Sequence, residues 1–168
     1  GEGVTKLEIG QRVASIGAGY AQHSDFSVVP QNMVVPLPEN VEFEQAAYGM
    51  LLATAMQAVR RAEPEMGQYV AIAGLGLVGQ LTARLFQLSG CYAIGWDTVT
   101  ERIEQAKRLG IDETALVGSE DEIRKTLSFT NDRGLDTSVI ALGGNAEKPA
   151  HALEKCMKVS GDGHPMGT

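Results

Sequence analysis

The run Tyr69-Val-Ala-Ile-Ala-Gly74-Leu-Gly76-Leu-Val-Gly79, followed by a helix-patterned stretch, the apolar segment Cys91-Tyr-Ala-Ile-Gly-Trp96 and then Asp97, decides how this chain folds. Three glycines in a G-x-G-x-x-G spacing are weak evidence alone. Here they follow a strand-like run, open a helix and are answered by an acid eighteen residues after Gly79, the order of a nucleotide-binding βαβ crossover. Gly74 lets the chain turn sharply off the strand, Gly76 presents no side chain to a pyrophosphate, and Gly79 lets the helix approach the sheet. The N–H groups of the first helical turn lack internal partners and carry partial positive charge, so they hold an anion without a lysine. Leu75, Leu77 and Val78 are apolar and no G-x-x-x-x-G-K-[ST] run occurs, which disfavours a triphosphate hydrolase.

Beyond Gly76, the residues Leu77, Val78, Leu81, Leu85 and Leu88 recur at helical spacing and are expected to bury against the sheet, with Gly90 as the C-terminal cap. Asp97 then arrives at the carboxyl edge of the sheet, where a carboxylate accepts the hydroxyls of an adenosine ribose and repels a phosphate attached there. The expected cofactor is NAD, with NADP less favoured, although Arg102 could stack on adenine or soften the exclusion. Asp97 could instead cap the next helix, but Thr98-Val-Thr-Glu101 reads as a capping box that makes this unnecessary.

Composition bounds the function classes. The 168 residues are 43% hydrophobic and 21% charged, enough for one domain with a core and a further piece. A net charge of −7 with no run of four basic residues argues against nucleic-acid and anionic-membrane partners. Cys91 and Cys156 are isolated and read as small buried apolar residues. No apolar stretch reaches spanning length and no leader-like segment opens the chain, so no membrane partner and a cytoplasmic location are expected.

From Lys107 the alternation continues: a helix from Glu101 to Leu109 ending at Gly110, a strand over Thr114–Val117, a capping box Ser119-Glu-Asp-Glu122, a strand over Leu135–Leu142, and a helix capped by Asn145 and running through Met157. Strands alternating with helices predict an α/β fold, a doubly wound parallel sheet in the order 3-2-1-4. A fifth strand is expected to begin within Ser160–Thr168, so the dinucleotide-binding domain over 46–168 is expected to stop short of its last strands. Residues 1–45 differ. Strand-like runs at Val4–Val13 and Tyr20–Val29, punctuated by glycine and proline, suggest the end of an antiparallel β domain. A helix over Glu44–Ala62, with Leu51, Leu52, Ala55, Met56 and Val59 buried, leads into the first parallel strand.

These segments together resemble the medium-chain dehydrogenase/reductase superfamily, which contains zinc-type alcohol dehydrogenases and quinone reductases. The resemblance is carried by Gly3–Val13, by Gly19-Tyr-Ala-Gln-His-Ser with Val29-Pro30 and Val35-Pro-Leu-Pro38, by Ala46–Arg61, by the glycine motif through Asp97, and by Arg102, Ala106-Lys107 and Leu109-Gly110. It implies that 1–45 is the end of a GroES-like catalytic domain, and that hydride passes between an alcohol or carbonyl substrate and a nicotinamide. It places Gly74, Gly76, Leu77, Val78, Gly79, Asp97 and Arg102 on the family's cofactor positions, Thr54 near the nicotinamide, and Leu142-Gly143 on the loop beside it. Thr54 could equally be a buried threonine bonded back to its own helix. A homo-oligomer is an allowed assembly.

The position of the family's third zinc ligand falls on Met50, and a thioether is a poor zinc ligand. No metal site is therefore assigned, and zinc in the parent protein stays open. The Ala62-Glu63-Pro64 junction with Gly-Tyr-Ala-Gln-His looks like dehydrogenase halves fused to a second oxidoreductase domain. His23, His151 and His164 are scattered, and no catalytic acid or base is assigned. The same fold could also serve a non-catalytic nucleotide sensor, or another adenine-bearing ligand such as S-adenosylmethionine.

Overall fold

The computed structural model describes residues 1–118, 121–160 and 166. Its contacts divide the chain into two units, Gly1–Ala53 and Thr54–Thr168.

In the first unit, β1 (Val13–Ser15) pairs antiparallel with β2 (Val34–Pro36), Ala14 facing Val35. The expected strands over 4–13 and 20–29 do not form. Gly10, at φ 84°, turns the backbone within the first of these runs, and Gly19, at φ 83°, turns it just before the second. The antiparallel character of the segment stands, at a different register. Arg12 ties the end of this unit together, donating to Val41 O at 2.7 Å and lying over the Phe43 ring at 4.5 Å.

The helix expected over 44–62 is two helices, α1 (Phe43–Ala46) and α2 (Gly49–Ala62). Glu42 and Gln45 form a reciprocal capping box that starts α1, and the poor helix former Gly49 stands at the break. On α2 only Ala55 of the predicted face is fully buried; Leu52 and Met56 are 38% exposed.

The second unit is the doubly wound sheet. Its strands are β3 (Tyr69–Ala73), β4 (Tyr92–Asp97), β5 (Glu113–Leu116) and β6 (Thr137–Ile140), all parallel, in the order β5-β4-β3-β6. This is the predicted 3-2-1-4 arrangement. Side chains alternate across β3. Ala71 and Ala73 join Ile94, Trp96, Leu153 and Cys156 on one face, where α5 (Glu122–Phe129) and α6 (Glu147–Glu154) pack. Ile72 joins Ala83, Ile103 and Ala106 on the other, against α3 (Leu77–Leu88) and α4 (Thr100–Arg108).

The inner face of α3 is not the predicted leucine stripe. Gly79, Gln80, Thr82, Ala83 and Phe86 are buried, whereas Leu77 and Leu88 are 46% and 70% exposed. Close approach to the sheet favours the small residues, and the leucines are displaced to the flanks. Gly90, at φ 88°, follows the C-cap Ser89 as expected. Helix α6 ends at Glu154 rather than Met157. The N-cap is Ala146, with no side-chain cap bond; Asn145, one residue before it, accepts from Glu147 N at 2.8 Å, and Pro149 sits in the first turn. The expected fifth strand falls largely outside the described residues, and so does His164.

Candidate functional site

The carboxyl ends of the parallel strands are knitted together beyond the strands themselves. Gly74 N donates to Trp96 O at 2.7 Å, Val117 N to Asp97 O at 2.9 Å and Ala141 N to Ala73 O at 2.8 Å. This continuation places Gly74, Asp97, Val117 and Ala141 along one edge. Above it lies a cleft of about 800 Å³, lined by Gly74, Gly76, Asp97, Arg102, Leu142 and Gly143, all named by the sequence reading. A volume of that order suits a small organic ligand.

The three motif glycines differ in what the fold demands of them. Gly74 sits at φ 101°, and a Cβ there would lie 2.8 Å from Ala141 O. At Gly79 a Cβ would run into Gly74 O. Gly76 is different: its φ of −65° suits any residue, and a Cβ would meet nothing within 4 Å. The protein's own packing therefore does not require glycine at 76, whereas a ligand group lying over that turn would. Among the described residues, the amides of Gly76, Leu77, Val78 and Gly79 have no hydrogen-bond acceptor, so the start of α3 presents several donors beside that open space.

Asp97 ends β4 with 6% of its surface exposed. Oδ2 accepts from Leu75 N at 2.7 Å and lies 3.4 Å from Arg102 Nη1, while Oδ1 accepts from Val99 N at 2.9 Å. The carboxylate is thus clamped between the glycine turn and the start of α4. The expected capping box at Thr98–Glu101 is absent: the N-cap of α4 is Val99, with no side-chain cap bond. Asp97 supplies the acceptor there, since a carboxylate has lone pairs for several donors at once. Its pair with Arg102 is lopsided, the carboxylate buried and the guanidinium side chain 51% exposed.

The opposite wall comes from α5 and α6. Trp96 Nε1 donates to Thr126 Oγ1 at 3.0 Å, and Thr126 Oγ1 donates to Glu122 O at 2.8 Å, which fixes α5 against β4. Asp121 caps α5, accepting from Arg124 N at 2.9 Å; a carboxylate one residue before the helix suits its dipole. Ser119 and Glu120 lie outside the described residues. Glu122, Asn145 and Lys148 also line the cleft. The sequence reading did not name Glu122 or Lys148 as cleft residues, because nothing local shows which helix faces the crossover. Leu77, Val78 and Gly79 do not line the cleft with side chains; what they offer is main-chain N–H. Thr54 lies on α2, exposed and outside the residues that line the cleft.

Among the described residues, no three His, Cys, Asp or Glu side chains gather as a metal-binding group, and no helix is long and apolar enough to cross a membrane. Cys91 and Cys156 are buried free thiols. Burial, reinforced by the Glu122 and Asp121 carboxylates, pushes the Cys156 thiol up to about 11.

A glycine turn, a helix N-terminus and a strand-end acid meet on one cleft of a doubly wound, Rossmann-like fold. No protein-family profile matches the chain. It is 28% identical over 116 residues to an uncharacterized zinc-type alcohol dehydrogenase-like protein of Haemophilus influenzae, covering 69% of this chain and 34% of that one. The structure of the alcohol dehydrogenase TADH from Thermus sp. ATN1 superposes with a TM-score of 0.67 at 30% identity, over 74% of this chain and 37% of that one. A Pseudomonas syringae quinone oxidoreductase superposes with a TM-score of 0.80 at 25% identity, over 92% and 48%. The chain belongs to the medium-chain dehydrogenase/reductase superfamily. It spans less than half the length of these relatives.

Proposed function

We infer that the chain is the cofactor-binding portion of an NAD-dependent, alcohol dehydrogenase-like oxidoreductase that moves hydride between a small alcohol or carbonyl substrate and nicotinamide. The observation that carries this reading is that Gly76, free of any packing demand for glycine, shares one cleft with the buried carboxylate of Asp97. The amides opening α3 bind the pyrophosphate, Asp97 accepts from the adenosine ribose, and the Arg102 guanidinium covers the base. Leu142 and Gly143 pass beside the nicotinamide; Thr54, outside the cleft, is assigned a place near it by the family resemblance alone. When bound, the nicotinamide supplies or accepts the hydride; the residues named here hold and orient it. Asp97 disfavours a ribose phosphate by charge, which selects NAD over NADP. Two buried free thiols suit a reducing cytoplasm. The relatives' descriptions, alcohol dehydrogenase and quinone oxidoreductase, support a dehydrogenase or reductase for the whole protein.

Titration of the folded chain with NADH and, in parallel, NADPH, followed by nucleotide fluorescence, tests the reading. Saturable binding with NADH the tighter ligand is expected. A folded sample that binds neither, or prefers NADPH, overturns the assignment.

A further inference from the structure

Leu75, at the centre of the glycine turn, is held on three sides. Its amide donates to Asp97 Oδ2 at 2.7 Å, its carbonyl accepts from Gln80 Nε2 at 2.6 Å, and its side chain is fully buried beside Gly95. Gln80 is only 9% exposed and sits on the face of α3 that otherwise packs through Gly79, Ala83 and Phe86. An amide buried there costs desolvation that an apolar side chain would not, so packing alone does not account for it. Its donor meets a carbonyl that the helix leaves aside, because the ladder of α3 begins one residue later, with Gln80 N donating to Gly76 O at 3.0 Å.

The peptide joining Leu75 to Gly76 is planar and trans, so turning its carbonyl to Gln80 turns the Gly76 N–H the opposite way. Gly76 has no Cβ to resist rotation of that peptide unit. Rotation would present a carbonyl oxygen where a donor is required, and an anion over the turn would be repelled. The residue that gives a phosphate room therefore also makes the turn easy to flip, and the structure supplies a pin.

We propose that Gln80 is a positioning residue for diphosphate binding, locking the Leu75–Gly76 peptide with its N–H in the orientation an anion requires. The proposal rests on the dinucleotide reading above. It separates two halves of the ligand: the pyrophosphate depends on Gln80, whereas adenosine, gripped by Asp97, does not.

The 168-residue chain is titrated with ADP-ribose and with adenosine, by calorimetry and by NMR respectively. Gln80→Met, close in shape but without the donor, is expected to lose about tenfold in ADP-ribose affinity and to keep adenosine affinity within about twofold. Gln80→Glu can donate to the same carbonyl only as the protonated acid, whose pKa burial raises. Its ADP-ribose affinity is expected to recover as pH falls from about 8 to about 6, while the wild type changes by less than about twofold. This pH rescue also decides the matter if Gln80→Met does not fold. Equal losses for adenosine and ADP-ribose, or no loss in either variant at any pH, overturn the role of Gln80 and leave the dinucleotide reading intact. A folded wild type that binds no ADP-ribose overturns both.

Discussion

The Asp97 carboxylate and the Leu75 amide are joined by a 2.7 Å hydrogen bond inside the protein. The acid that faces the cleft from β4 therefore also shapes the turn that follows β3. Ribose recognition and phosphate recognition share one side chain, and its loss is felt at both.

Asp97→Ala is accordingly expected to weaken NADH binding by at least about tenfold and to lower folding stability by about 1–3 kcal/mol, because the Leu75 and Val99 amides lose their acceptor. Asp97→Asn keeps an acceptor for one of them and should fall between. Fluorescence titration and urea denaturation of the three proteins check this; unchanged NADH affinity in Asp97→Ala would remove the acid from the site.

Glycines 76 and 79 should respond in opposite ways. Gly76→Val meets open space at an ordinary φ, so stability should change by less than about 1 kcal/mol while NADH binding is lost. Gly79→Ala drives a Cβ into Gly74 O and should cost about 1–3 kcal/mol or more. Thermal denaturation with parallel titration distinguishes them, and a Gly76→Val protein that still binds NADH would show that nothing lies over that turn.

Arg102 contributes little to the fold. Its pair with Asp97 is half exposed, so Arg102→Ala should lower stability by less than about 1 kcal/mol, as measured in urea. If Arg102 covers adenine, the same variant loses NADH affinity without losing stability. A large drop in stability would instead make the ion pair structural.

Trp96, the single tryptophan, lines the cleft and is 2% exposed. Bound NADH should quench its emission by energy transfer, giving a reporter that needs no label. Thr126→Val leaves the indole N–H buried without its acceptor and should cost about 1–3 kcal/mol in a denaturant titration.

Cys156 predicts an alkaline transition. Its thiol is raised from 9.0 to about 11 in the folded chain, so below pH 9 it is neutral in both states and its contribution is fully present. As pH climbs from 9 toward about 11 the unfolded chain loses the proton first, and stability falls. Cys156→Ala should flatten that part of the stability profile, and the native thiol should resist a thiol-reactive dye at pH 8 until the protein unfolds. Prompt labelling of the folded chain would contradict its burial.

The parallel α/β order, β3 ending at the glycine turn, the helix stops at Gly90 and Gly110, and Asp97 closing β4 were all legible in the chain. Each depends on contacts within a few residues or on a crossover of ordinary length, so local periodicity and glycine placement suffice. Tertiary structure decided what depends on distant neighbours. Val13–Ser15 pairs with Val34–Pro36 because the intervening glycines turn, not because either run reads as a strong strand. Gly79 and Ala83, rather than Leu77 and Leu88, face the sheet, since close approach rewards small side chains over large ones, while Phe86 packs with Val70 and Cys91. Asp97 holds the start of α4, and Glu122 and Lys148 reach the cleft, only once the layers are stacked. Spacing along the chain reveals which element a residue belongs to; which donor a carboxylate meets is set by packing across the sheet.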